Sequence, residues 1–369
     1  MKRIAIICVI LCTPLLINAQ VQIPTLDDLD HEIAMSSQYD KQYEDVIRSV
    51  KKQLHAAKTL KARCELSDKL FNLYTSYSVD SAIVYAMEKQ KIAKTMGNQS
   101  KVNDAKLNLA YLLIRGGELK EASDIINSIP RSEINQDLSF YYFSTRKTLY
   151  RTLADAALIP SQRKMYKQME KLCNDSVVDN NQSPDIWSRA EQLVNRQQYE
   201  QAKKILLDAY HHLKPGDRQT AFVSISLADI YGREKNVEAQ KQYLIAAAIS
   251  DIRNSVKEYL ALQQLAMILF EEGDTKRAYA YMDHAMNDAV FCNARQRTIA
   301  MADVWPAIEK SHERETKSRT LKLTAALVLI SLMSVFLLVM IIYTRRRVVE
   351  LRAIRARLSN TNELLKESN

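Results

Sequence analysis

An uninterrupted apolar stretch near the carboxyl end constrains this chain more than any other feature. Residues 323–343 read LTAALVLISLMSVFLLVMIIY, without a charged residue, a proline or a glycine. As a helix they would extend roughly 31 Å, close to the ~30 Å hydrocarbon thickness of a bilayer. Inside lipid the backbone must satisfy its own hydrogen bonds, so a lone span has to be helical. We predict one transmembrane helix over 323–343; the alternative is a buried helix of a soluble domain.

The residues that follow this stretch predict its membrane boundary. Tyr343 is the kind of aromatic residue that lies at a lipid–water interface. Arg345, Arg346 and Arg347 follow it after Thr344 and form a cationic stop. Such residues are enriched on the cytoplasmic side of a membrane. The sequence therefore predicts a basic cytoplasmic tail over 344–369.

The first 19 residues have the order of a secretory signal peptide. Lys2 and Arg3 precede the apolar run IAIICVILCTPLLI, and Asn18 and Ala19 follow it. Cleavage is expected after Ala19, with an uncleaved anchor as the alternative. Export would place a folded region, 20–300, and a juxtamembrane helix, 301–322, outside the cytoplasm.

The charge of the chain is concentrated at its ends. The formal net charge is +9, yet positions 20–321 contain 42 basic and 40 acidic residues. A nearly neutral body lacks the basic surface that nucleic acid requires. We therefore expect no nucleic acid to be bound by this chain itself. The excess positive charge lies where it would face the anionic headgroups of a lipid bilayer.

Composition also predicts the fold class. Six glycines and seven prolines in 369 residues favour an all-α body. Removal of the signal would leave Cys64, Cys173 and Cys292. An odd number of widely spaced cysteines does not form a disulfide scaffold, so we expect these to be buried as small apolar residues.

A pattern of small and large apolar residues recurs along the exported region. In LAMILFEEGDTKRAYAYMDHA, Ala266 and Ala278 lie twelve residues apart, with a Gly-Asp turn between them. This spacing predicts two antiparallel helices that meet at small side chains. The second alanine recurs in steps of 40, 80, 37 and 39 residues, at Ala82, Ala122, Ala202, Ala239 and Ala278. The step of 80 predicts one degenerate pair near 140–173.

This pattern resembles a tetratricopeptide repeat array that covers most of 40–290; the alternative is an irregular helical bundle. Stacked helix pairs of this kind form an α-solenoid with a concave groove. The resemblance implies that the first helix of each pair lines the groove. Carried over position by position, it implies these partner-binding candidates: Tyr111, Arg115, Glu191, Asn195, Asp229, Arg233, Met267 and Glu271. Their mixed charge suits a peptide or a protein helix; the alternative is ordinary solvated surface.

The tail has the apolar spacing of a short coiled coil. Leu351, Ile354, Leu358 and Leu365 follow a 3-4-3-4 pattern, with Thr361 in the gap. Two heptads alone would be marginal, but attachment to a membrane helix raises their effective concentration. We predict a homodimer through the tail, with a frayed amphipathic helix as the alternative.

No pattern of catalytic or metal-binding residues is found in the sequence. His31-Glu32 and His312-Glu313 lack the second histidine of a zinc-protease helix. There is no P-loop, no GxGxxG and no GxSxG. We therefore expect a protein that is not an enzyme and needs no cofactor.

The order of the segments carries a second resemblance. Residues 246–297, followed by the membrane helix and LSNTNELLKESN, are similar to single-pass inner-membrane repeat regulators of Gram-negative bacteria. That family implies a periplasmic repeat sensor, one membrane pass, a coiled coil and a cytoplasmic helix-turn-helix output domain. The sequence ends at Asn369, within the predicted coiled coil. We expect a sensor half or a truncated member; the alternative is a scaffold for envelope assembly that does not signal.

Overall fold

The computed structural model describes residues 24–179, 185–214 and 216–367, with 363–367 described by their backbone alone. Within these ranges every regular element is helical, and no strand forms. The predicted all-α class is confirmed. The chain divides after Trp305 into two units, which are described separately below. The predicted signal peptide, 1–19, lies outside the described residues.

The first unit consists of six consecutive helix pairs, preceded by one long helix and followed by one short helix. The long helix is α1, Leu26–Ala56, and the short one is α14, Arg295–Ala302. The pairs are α2 (Leu60–Tyr74) with α3 (Val79–Thr95), α4 (Gln99–Gly116) with α5 (Leu119–Asn127), α6 (Gln136–Ala156) with α7 (Pro160–Asp179), α8 (Ile186–Asn195) with α9 (Tyr199–His212), α10 (Arg218–Arg233) with α11 (Val237–Arg253), and α12 (Leu260–Glu271) with α13 (Thr275–Cys292). A 3-10 turn, Arg131–Glu133, connects α5 to α6.

Four of the pairs turn through the same left-handed backbone conformation. The residue just before the N-cap of the second helix has a positive φ in each: Gly117 (85°), Gln197 (60°), Lys235 (60°) and Gly273 (87°). Glycine adopts this conformation freely, whereas other residues are strained in it by roughly 1–2 kcal/mol. Gln197 and Lys235 adopt it nonetheless, because the packing of the two helices fixes the turn.

The small residue of the repeat lies four positions after the N-cap of the second helix. Ala82, Ala122, Ala202 and Ala278 occupy this position and are completely buried. In α11 the equivalent position, counted from the N-cap Asn236, is Gln240, so the prediction of Ala239 was wrong by one residue. A Cβ on Gly232 of α10 would lie 2.8 Å from Nε2 of Gln240. The small residue of this pair is therefore on the first helix.

The pair α6–α7 corresponds to the predicted degenerate unit. Its second helix buries Cys173, Asn174 and Val177, all near its end, and no alanine at its start. Cys64, Cys173 and Cys292 are all buried free thiols, which confirms the prediction made for them.

Ion pairs with the same spacing along the chain connect successive helix pairs. Lys203 of α9 and Lys241 of α11 each bind one acid three residues earlier and another 31 residues later; the acids are Glu200, Glu234, Glu238 and Glu272. The N–O distances lie between 2.7 and 2.9 Å. Each partly exposed pair contributes little stability, up to about 1 kcal/mol. Because the spacing is the same, α9 contacts the end of α10 in the same way as α11 contacts the end of α12.

The two ends of the array contact each other. Helix α1 packs against α11 as well as α2, and α14 contacts α4. The backbone N–H of Lys257 donates to the carbonyl oxygen of Ser76 at 2.7 Å. The loop between α11 and α12 thus reaches the loop between α2 and α3, and the array is closed.

The second unit is one helix. This helix, α15, runs from Trp305 to Glu367 over 63 residues, roughly 95 Å. It is long and apolar enough to cross a membrane. The predicted juxtamembrane residues from 305 to 322 belong to it, while 301 and 302 complete α14.

The predicted boundary and tail residues all lie on α15. Arg347 donates to the hydroxyl of Tyr343 at 3.2 Å, and Arg345 and Arg346 are exposed. Leu351, Ile354 and Leu358 are 60 to 64 % exposed. The side chain of Leu365 lies outside the described part of the chain.

Candidate partner-binding surface

The first helices of neighbouring pairs lie side by side. Helix α4 contacts α6, and α8 contacts α10. A solenoid built in this way presents the first helices as one extended surface. The eight predicted partner-binding residues all lie on first helices: α4, α8, α10 and α12.

An aromatic pair lies on the part of this surface formed by α8 and α10. The rings of Trp187 and Phe222 have centroids 5.4 Å apart, and Phe222 is 45 % exposed. Trp187 precedes Glu191 by one helical turn, and Phe222 precedes Asp229 by two, so each shares a helix face with a predicted residue. Exposed aromatic side chains are enriched at protein interfaces. Sequence reasoning missed both, although Trp187 is one of only two tryptophans in the chain.

Polar residues border the aromatic pair. Nε of Arg233 lies 2.9 Å from Oδ2 of Asp229, and both side chains are more than half exposed. This hydrogen bond raises the pKa of the Arg233 guanidinium above its ordinary value. Asn195 is exposed at the end of α8. We define Trp187, Asn195, Phe222, Asp229 and Arg233 as the α8–α10 surface.

Glu191 connects this surface to the preceding pair. Its carboxylate binds Nζ of Lys147 at 2.8 Å and also pairs with Arg151, both on α6. Lys147 donates in addition to the side-chain carbonyl of Asn174. Glu191 is therefore held in an internal network, and its predicted contact with a partner stays a prediction.

The candidates on α4 lie at the point where the array closes. Arg115 is buried, and its guanidinium lies 2.5 Å from Oε2 of Glu258. It also donates to the carbonyl oxygen of Thr75, and it stacks over the ring of Tyr111 at 5.7 Å. The guanidinium of Arg115 is thus already paired within the chain. Within the described ranges, no hydrogen bond or ion pair joins these two residues to the α8–α10 surface.

The two candidates on α12 have the fewest polar contacts within the described part of the chain. Met267 is half-buried and Glu271 is exposed. The hydrogen bonds and ion pairs described for the chain include neither side chain. Their role in partner binding stays a prediction.

Lys257 forms the centre of the closing contact. It is 3 % exposed, and its ammonium binds the carboxylates of Asp40 at 2.6 Å and Asp288 at 3.0 Å. His284 lies beside this group, 3.5 Å from Asp288, and burial lowers the pKa of its imidazole. We call Asp40, Lys257, Glu258, His284 and Asp288 the closing cluster.

A small open cavity of about 360 Å³ lies beside the closing contact. Its lining is mixed in charge and comes from α1, α2, α10 and the end of α11; it includes Tyr43, Glu65, Asp68, Lys69, Arg218 and Asn254. Among the described residues, no group of three His, Cys, Asp or Glu side chains is placed to hold a metal ion.

Stacked antiparallel pairs, an alanine at a fixed position and a repeated turn define an α-solenoid of the tetratricopeptide class. Repeat domains of this class generally mediate contacts between proteins. Residues 33–303 match the family model of the SusR N-terminal TPR domain, and this chain belongs to that family. The comparison with curated proteins finds no match.

Proposed function

We propose that this chain is a membrane-anchored receptor whose repeat array binds a protein or peptide partner. The observation that carries the proposal is the α8–α10 surface, where the half-buried Trp187 and the exposed Phe222 share two helices with the exposed Asp229 and Arg233. Aromatic anchors bordered by polar groups supply most of the binding energy in many interfaces. The charged groups of this surface, Asp229 and Arg233, pair with each other and are not used to close the array.

The anchor in this proposal is α15. Its apolar side chains from Leu323 to Tyr343 are largely solvent-exposed, which water would disfavour and lipid would not. We propose that α15 crosses the inner (cytoplasmic) membrane once, with the array in the periplasm and the basic tail in the cytoplasm. Partner binding would then change the spacing of two tails in a dimer. Family membership supports a regulatory role, and a scaffold that does not signal is the second candidate.

Replacing Trp187 by alanine is expected to weaken partner binding about 30-fold, because an aromatic anchor at the centre of an interface contributes about 2 kcal/mol. The full chain in detergent would be used to recover partners from an envelope fraction, and the affinity of the recovered partner would then be titrated. Val84→Ala is the matched control, because Val84 is a large exposed residue on α3. Equal loss in both variants would contradict the assignment of the α8–α10 surface.

Crosslinking in the tail should separate a receptor from a scaffold. Cysteines at Leu351 or Leu358 are expected to crosslink between two copies, at a rate that changes when the recovered partner is added. A ligand shifts a conformational equilibrium only if it binds the two states with different affinity. Unchanged crosslinking with the partner demonstrably bound would favour the scaffold.

A further inference from the structure

Helix α1 has two halves that are held in different ways. Its second half buries Ile47, Val50 and Leu54, and Lys51 there lies over the ring of Tyr74 on α2. Its first half buries only Leu29 and Glu32. Most of the buried apolar side chains of α1 are therefore in its second half.

The first half of α1 is held by charge, and its partners are in the last two helix pairs. Glu32 lies 2.5 Å from Arg253 at the end of α11. Asp30 accepts from the Tyr281 hydroxyl at 2.6 Å and from Arg277 at 3.0 Å, both on α13. Two further pairs complete the contact, Asp27 with Arg277 and Asp40 with Lys257. Acidic residues on α1 thus face basic residues more than 200 positions later in the chain.

The two ion pairs of Arg277 are weak, whereas Glu32 is buried in its pair with Arg253. The side chains of Asp27, Asp30, Arg253 and Arg277 are between 30 and 87 % exposed. Pairs exposed to that degree contribute up to about 1 kcal/mol each and are screened by salt. The buried Asp40–Lys257 pair lies at the other end of the segment. Residues 26–39, which precede it, bury only Leu29 and Glu32, so their release would require less free energy than release of the second half of α1.

We propose that residues 26–39 form a strap that is released as a unit, and that the face of α11 and α13 beneath it is a docking surface for an acidic helical segment. The complementary charge argues for that chemistry: Asp27, Asp30 and Glu32 on the strap, against Arg253 and Arg277 on the face. In the closed array the strap itself occupies the surface. A partner with the same spacing of acids would compete with it. The inference does not depend on the proposed signalling role.

Release can be measured by hydrogen exchange on the full chain in detergent. Arg277→Glu is expected to speed exchange of the amides of residues 30–39 at least tenfold and to leave α8 and α10 unchanged. Arg63→Glu is the matched control, because Arg63 is also a partly exposed arginine in an ion pair, with Glu88. Faster exchange throughout the chain, or none in α1, would overturn the proposal. Asp30→Asn removes the same contact without introducing a repulsive charge, and it should give the same local effect.

Docking can be measured with a labelled peptide of residues 24–46. The peptide should bind a chain whose own strap carries Asp27→Lys and Asp30→Lys at least tenfold more tightly than the unchanged chain. Arg277→Glu added to that variant should abolish binding of this peptide and permit binding of a peptide with the two Asp→Lys changes. Failure of the strap-released chain to bind the peptide would overturn the docking surface.

Discussion

Replacing Lys257 by alanine is expected to lower the free energy of unfolding by about 3–5 kcal/mol, because breaking a buried ion pair leaves its partner charges uncompensated. Lys257 lies between the carboxylates of Asp40 and Asp288 and is almost inaccessible to solvent. Without the ammonium, two carboxylates would face each other in a region that water enters poorly. The change can be measured by denaturant unfolding of the full chain, followed by circular dichroism.

Two further variants show whether the lost charge is the cause. Lys203→Ala removes an ion-pairing lysine whose partner Glu200 is 85 % exposed, and it should cost up to about 1 kcal/mol. Lys257→Met combined with Asp40→Asn and Asp288→Asn removes all three charges together and should recover most of the loss. An equal effect of the two single lysine variants would contradict the role assigned to Lys257.

Replacing Asp251 by asparagine is expected to stabilise the protein above pH 7. Burial, followed by the nearby Glu258 carboxylate, raises the pKa of Asp251 from its ordinary value of 3.8 to about 7. Because the folded-state pKa lies above the unfolded one, the ionised carboxylate opposes folding at high pH. Stability should rise as pH falls from about 7 to about 4, while the folded state alone takes up the proton. Three pKa units correspond to a gain for the variant of up to about 4 kcal/mol at pH 8.

The measurement is unfolding stability at several pH values between 4 and 8. The difference between the variant and the unchanged chain should be largest at pH 8 and should shrink as pH falls toward 4. Asp45→Asn is the control, because Asp45 is exposed on α1 and forms an ion pair with the exposed Arg48 at 2.7 Å. A difference that does not depend on pH would contradict the raised pKa of Asp251.

The helix pairs could be predicted because their signals are local. A small residue, a turn and a second small residue lie within about twenty positions, and three of the pairs, α4–α5, α8–α9 and α12–α13, repeat all of them. The same holds for α15, where a single uncharged run is sufficient. The one error of register, Ala239 in place of Gln240, arose because the only small residue nearby is one position early, and Gly232 of α10 supplies the space instead.

The closure could not be predicted, because its contacts join residues with no local relation. Arg115 occupies a groove position in the repeat, yet it pairs with Glu258 across 143 positions. A position within the repeat predicts which way a side chain points. It does not predict whether another part of the chain reaches that side chain first.

The contact between α1 and the last two pairs also has a consequence during synthesis. Asp27 is separated from Arg277 by 250 residues. At 5–20 residues per second, the ribosome needs about 12–50 s to produce that interval. Throughout this time the acidic residues in the first half of α1 lack their basic partners. They are then accessible to any basic chaperone that binds the nascent chain. The last two helix pairs therefore complete the array and also cover the acidic residues of α1.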